Sequence, residues 1–527
     1  MAANTDPRTR RELFVDPFDV TFVWPLRLRG SGAGKEAGRE RVKRALIDGG
    51  WEQVKDLVRR NGRPDEDGYA YAEMVYFHPF VQNFLYGRED ARPGSRTDAT
   101  HFDLYCLPRL SEEKLEIEEE AWKEEFVIQE VLFHSFDGDI AILTLRLGAT
   151  RPVTWDSARN TISLMRTAYF QHYSRVQEEV GPHGVKATVW RGGGGIEGVH
   201  IGGMPAETEG KHADRNLEMQ SALDTQEPKL YRHWSDLLGP LAKAGIKARP
   251  LGDHRIPVMA FLGLEDPRCL AADEWLALSE ADPARFARYA PAFRDNALAE
   301  ATYDRWWDRS DPKLRHRYLA GPMTYFTVIG APVDRPPWFE RIRTSWRRQH
   351  YQMFLLAHYQ RAALLDLQDR IARAADKAGW DDDALLREIE SIRRRMAVFS
   401  SSCYFLEISP QVQGQELYSL LRKRLSLDSL YEGVIDDKAL LGNWVMAREE
   451  QRSAKRWEVI NLWVIPLGLA ITFLGANVFI LPLQCLLKSM FPNVFLRDGI
   501  ISLGLVVPAL LVARVYHWVL RRRQKGR

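Results

Sequence analysis

The chain has 527 residues, with 73 basic against 71 acidic side chains and a formal net charge of +2. That length exceeds one ordinary domain and allows a sizeable core, while the near balance of charge gives no reason to expect a nucleic-acid partner. Four cysteines, Cys106, Cys269, Cys403 and Cys485, are far apart and make no C-x-x-C pair, which excludes a disulfide framework or a zinc ribbon and predicts buried free thiols in a reducing compartment. The opening MAANTDPRTRRELF has no apolar stretch behind its arginines, so no secretory signal is expected and the large N-terminal part is expected in the cytoplasm.

Residues 1–336 mix strand-like and helical runs. FDVTFVWPLRL, HFDLYCL, KLEIEEE, EFVIQEVLF, DIAILTLRL, KATVW, PVMAFLGL and MTYFTVIG have the alternation and β-branched content of strands. RERVKRALIDGGWEQVKDLVRR and SARNTISLMRTAYFQHYSRVQEEV read as helices. The expectation is a cytoplasmic α+β or α/β domain with a substantial sheet. Residues 337–425 are helix-rich: WFERIRTSWRRQHYQMFLLAHYQRAALLDLQDRIARAADKAG reads as one helix up to Gly379. The next helix begins at Asp381, Asp382 and Asp383, acids that suit a helix start. A proline-free stretch from about Ser426, with Leu430, Val434, Leu441 and Trp444 in a stripe, predicts a stalk helix over 426–458.

Few of these residues suggest chemistry. WRGGGGIEG contains a formal G-x-G-x-x-G at Gly193, Gly195 and Gly198, but no helix follows to meet a pyrophosphate, so it reads as a glycine loop. There is no G-x-x-x-x-G-K-[ST] and no H-E-x-x-H, and His350 and His358 are eight apart. The acidic run SEEKLEIEEEAWKEE alternates about Leu115 and Ile117 and reads as a strand edge. FHPF, Phe77 to Phe80, reads as core rather than catalytic. No catalytic set stands out, so an enzyme is not expected, and neither is a cofactor.

The end of the chain is different in kind. Val459 to Phe479 and Gly499 to Leu520 are apolar and about as long as the ~20 residues a helix needs to cross a bilayer. Arg448, Arg452, Lys455 and Arg456 precede the first, and RRRQKGR (521–527) follows the second. The connection 480–498 has only Lys488, Arg497 and Asp498 as charges. This asymmetry predicts a two-helix transmembrane hairpin with both termini cytoplasmic and 480–498 outside, in a bacterial-type inner membrane. One hairpin has no lumen, so it is either an anchor or one part of a homo-oligomeric ring. Asn461, Ile465, Gly468, Thr472 and Gly475 share one face of the first segment, which suits either pore lining or close helix packing.

A cytoplasmic α/β domain, a stalk helix and a first membrane segment ending in Gly475-Ala476-Asn477 resemble the CorA superfamily of divalent-cation channels. The likeness lies in the overall plan and chiefly in the last hundred or so residues. It implies a homopentamer that carries magnesium or zinc and is gated by its cytoplasmic domain. Gly475 and Asn477 match the Gly-Met-Asn triplet of the family's outer mouth, and Ala476 departs from it. Asn477 would meet the hydrated ion, with Thr472, Gly468 and Asn461 further along the pore. Two alternatives stand beside this: a ligand-gated membrane effector with a less selective pore, its long N-terminal domain taking a small-molecule or ion regulator, and a membrane-anchored protein that does not conduct.

Overall fold

The computed structural model describes residues 12–30, 35–57, 68–87, 102–119, 122–136, 139–168, 188–191, 230–252, 255–282, 289–307, 315–376 and 382–439, and beyond these only isolated positions. The chain divides into two compact units, Met1–Gly379 with Glu390–Ile435, and Trp380–Ile389 with Asp436–Arg527.

The first unit is organised by a 13-stranded sheet. Its main path runs β11 (Thr302–Trp306), β12 (His316–Gly321), β13 (Thr324–Gly330), β10 (Val258–Leu264), β1 (Phe14–Arg29), β6 (Ile140–Ala149), β5 (Trp122–Phe136), β3 (Phe102–Cys106) and β2 (Glu52–Gln53). Neighbours on this path are antiparallel except β10 and β13, which run parallel from Val258↔Thr324 to Leu264↔Gly330. β7 (Val153–Thr154) and β9 (Lys247–Pro250) pair with β1, while β4 (Lys114–Glu119) pairs with β5 and β8 (Thr188–Arg191). Leu115 and Ile117 are buried on β4, as their alternation requires.

β1 is the central strand and explains much of the architecture. Its even positions Phe18, Val20, Phe22, Trp24, Leu26 and Leu28 join the main hydrophobic core, where Trp234 meets Phe22 and Trp24 edge-on. That core is completed by α1 (Lys35–Asp48), α4 (Trp155–Met165) and α5 (Arg232–Lys243). Its odd positions include Asp19, Thr21 and Arg27, which are also buried. Pro25 would interrupt a central ladder. It falls between Phe22, where pairing with β10 ends, and Leu26, where pairing with β9 begins.

The odd face of β1 is covered by α8 (Pro337–Ser345), a π-helical turn (Trp346–His350) and α9 (Tyr351–Asp376). Arg343 Nε donates to Asp19 Oδ2 at 2.6 Å, Arg347 to Asp19 Oδ1 at 3.0 Å, and Gln129 to Oδ1 at 2.9 Å. Arg27 pairs with Asp366 at 2.7 Å and with Asp369. Burial alone would raise the Asp19 carboxyl, but the charges of Arg347 and Arg343 outweigh it and hold the group below its ordinary value. α2 (Tyr69–Tyr76), α3 (Pro79–Tyr86), α6 (Ala272–Glu280), α7 (Pro291–Ala301), α10 (Asp382–Ser402) and α11 (Val412–Arg424) complete the named elements. A further helix covers 427–439.

The structure corrects several sequence expectations. The transmembrane hairpin is not supported, nor with it the channel or the multi-pass inner-membrane placement: among the described residues no helix is long and apolar enough to cross a membrane. α9 has the length, 26 residues, but Arg361, Asp366, Asp369, Arg370, Arg373 and Asp376 interrupt it. The segments 459–479 and 499–520 lie outside the described residues apart from isolated positions. The helix expected through GGWEQVKDLVRR ends at Asp48 instead. Gly50, at φ +83°, turns the chain into β2. The single helix expected from 338 to 379 is broken by the π-helical turn. Cys269 is exposed, against the expectation of buried thiols, while Cys403 is buried.

Candidate functional site

The π-helical turn is the starting point. α-helical hydrogen bonding would carry α8 straight into α9, but Trp346–His350 closes wider turns. Such insertions are rare and occur often at functional sites. Here the turn sends Trp346 inward, where it packs near Phe261 with ring centroids 5.9 Å apart. The same turn brings Arg348, Gln349 and His350 to the wall of a cleft of about 720 Å³.

Four pieces of chain remote in sequence build this cleft. α2 contributes Tyr69, Ala72, Val75 and Tyr76, and the β11–β12 ribbon contributes Trp306, His316 and Tyr318. α8 contributes Trp338, Arg341, Ile342, Thr344 and Ser345, and the start of α11 contributes Gln411 and Gln413. Gly414 lets α11 approach closely, since a Cβ there would lie 2.6 Å from the Tyr76 hydroxyl and 2.9 Å from Ser409 Cβ.

The electrostatics are one-sided. Among the described residues the lining holds two guanidiniums and two imidazoles but no carboxylate. Arg341 is exposed. Arg348 donates from Nε to Glu73 Oε2 at 2.7 Å, and Glu73 is buried behind the lining, accepting also from Gln352 at 3.1 Å and Tyr86 at 3.0 Å. His350 Nδ1 lies 3.0 Å from the Tyr325 hydroxyl. Burial, helped by the nearby His316, pushes the His350 imidazole down to about 3, so it is neutral at pH 7. Burial likewise raises the Tyr76, Tyr318 and Tyr325 phenols, which stay protonated. Tyr318 accepts from Gln413 at 3.3 Å. Gln349 is nine-tenths buried, and its Oε1 has no donor among the described residues.

The sequence pointed elsewhere. Asn461, Thr472, Gly475 and Asn477 lie outside the described residues, and Gly468 is known only as an exposed helical position. Gly193, Gly195 and Gly198 also lie outside them. Of FHPF, Phe77 is buried and Phe80 exposed, while His78 pairs with Glu407 at 3.0 Å near the surface. Among the described residues no group of three or more His, Cys, Asp or Glu side chains stands close enough to hold a metal ion. The cleft residues were missed because each lies in an unremarkable helix or strand. The one local signal was the density of tryptophan, arginine and histidine over 338–350.

No family model matches the chain, and no curated protein matches it. Among solved structures, a chain titled "structure of the full-length CmaX protein" is similar at 15% identity with a TM-score of 0.15, over 51% of this chain and 94% of that one. A likeness of that size carries no argument about fold or activity.

Proposed function

We propose that the first unit is a receptor module that binds a small molecule in the cleft between α2, the β11–β12 ribbon and the π-helical turn. One observation carries this reading: aromatic walls and convergent amides and guanidiniums, with no carboxylate among the described lining residues, meet in a concave site of about 720 Å³, within the usual size of ligand pockets. The π-helical turn is continuous with α9, which lies under β1 and β6, so a ligand seated against the turn would bear directly on the buried frame of the unit.

The test is a ligand-observed NMR screen of the full chain with neutral, anionic and cationic aromatic fragments. Ala72→Trp, on the cleft side of α2, fills the site. Fragments that bind the parent should lose binding in this variant, with the melting curve preserved. Fragments that bind both chains equally would place the site elsewhere and remove the reading. Divalent-cation handling and homo-oligomeric assembly, both implied by the CorA resemblance, are separate proposals that rest on sequence alone. Calorimetric titration of the full chain with magnesium and zinc, and its mass in solution, test them.

A further inference from the structure

We infer that the ligand of this cleft is a small aromatic anion, a planar ring carrying one carboxylate or phosphate; this rests on the cleft being a binding site at all. Two observations converge on that class. The first is charge: Arg341 and Arg348 face the site, and among the described residues no Asp or Glu lines it. A concave, partly apolar wall of one sign concentrates ligands of the other, and a guanidinium fork matches the two oxygens of a carboxylate or phosphate. Arg348 has its Nε committed to Glu73, whereas Arg341 is exposed and has no ion pair among the described residues, so Arg341 is the primary anion contact.

The second is shape. Trp306 and Trp338 are half-buried at the cleft, with the buried Tyr318 between the ribbon and α11. The Trp306 ring already stacks on His316 at 6.0 Å and lies under the Arg305 guanidinium at 5.5 Å, so the half-buried Trp338 supplies the indole surface on which a planar ring stacks, and an aliphatic anion would leave it wet. An aromatic anion uses both features; a cation or a plain hydrocarbon uses one at most.

The experiment is isothermal titration calorimetry on the full chain with two probe sets. Indole-3-acetate, indole and acetate form one set; adenosine 5′-monophosphate, adenosine and inorganic phosphate form the other. At least one intact anion should bind at least tenfold more tightly than either of its halves, with affinity falling as salt rises. Which set shows the effect distinguishes carboxylate from phosphate. Arg341→Ala, at an exposed position, should abolish the preference for the anion while leaving binding of the neutral ring. The inference is overturned if neither anion binds, if the neutral ring matches its anion in the parent, or if Arg341→Ala retains the preference. If screened fragments bind and Ala72→Trp expels them, yet none prefers a negative charge, the receptor reading stands and this one falls. If no fragment binds, the receptor reading itself falls.

Discussion

Replacing Glu73 by glutamine separates stability from ligand affinity, because the two should move in opposite directions. The Glu73 carboxylate is buried, and its donors include Arg348 at 2.7 Å, Gln352 at 3.1 Å and the Tyr86 hydroxyl at 3.0 Å. Glutamine keeps the shape but offers one carbonyl oxygen. Its amide group must then face a donor, either Arg348 or the pair on the other side. A hydrogen bond to a charged group is worth about 1.5–3 kcal/mol. Arg348 retains 28% of its side-chain exposure and can turn partly to water, so the larger cost of a stranded buried charge does not apply. The expected loss is therefore about 2–3 kcal/mol in urea unfolding followed by circular dichroism. An anion held by Arg341 that also reaches the far edge of the Arg348 guanidinium would sit roughly 6–7 Å from the Glu73 carboxylate, and removing that unit charge at an effective dielectric of about 20 is worth about 2.5 kcal/mol, or roughly seventyfold in affinity. Calorimetry should thus show tighter binding of whichever aromatic anion the parent takes. A Glu73→Gln chain as stable as the parent would refute the assigned role of the pair, and unchanged or weaker anion binding would refute the electrostatic account of the cleft.

The remaining expectations concern the frame. Asp19→Ala strands Arg343 and Arg347 on the covered face of β1 and should cost about 3–5 kcal/mol, while Asp19→Asn, which keeps an acceptor, should cost less; equal stability of Asp19→Ala and the parent counts against the buried triad. Gly263→Ala places a Cβ 2.3 Å from the Asp16 carbonyl oxygen, where β1 shifts register between Val15 and Phe18, so a loss of about 1–3 kcal/mol or more is expected in the same unfolding assay. Burial pushes the His233, His350 and His358 imidazoles down to about 3. The unfolded chain binds their protons first, near pH 6.5, so stability is full above pH 6.5 and falls as pH drops toward 3. Each histidine contributes up to about 1.4 kcal/mol per pH unit. Unfolding midpoints at pH 7.5, 6.0 and 5.0 should descend accordingly, and His233→Phe should flatten the slope; no descent between pH 6.5 and 5 would contradict neutral burial. Asp19, held below its ordinary value, adds to the loss only at pH below about 4.

What the sequence by itself determined was local and periodic. FDVTFVWPLRL, DIAILTLRL, PVMAFLGL and MTYFTVIG read as strands from side-chain alternation and β-branching, and they are β1, β6, β10 and β13. The charges of α9 stood in plain view in a helix of sufficient length. The same reading predicted a helix over GGWEQ, where Gly50 turns the chain, and placed the functional weight on 459–479, which the described residues do not support as a membrane span. Only the tertiary structure decided what covers each face. In β1 the alternation separates Asp19, Thr21 and Arg27 from Phe18, Phe22 and Trp24, and by itself it sends the polar set to water. That set is buried because α8 and α9 bring Arg343, Arg347, Asp366 and Asp369 onto it. The cleft is a product of the same kind. Tyr69, Trp306, Arg341 and Gln413 lie far apart along the chain and converge through strand order and a π-helical turn. Periodicity tells which side of an element is apolar, but strand order and helix register follow from long-range packing, which no local window of residues encodes.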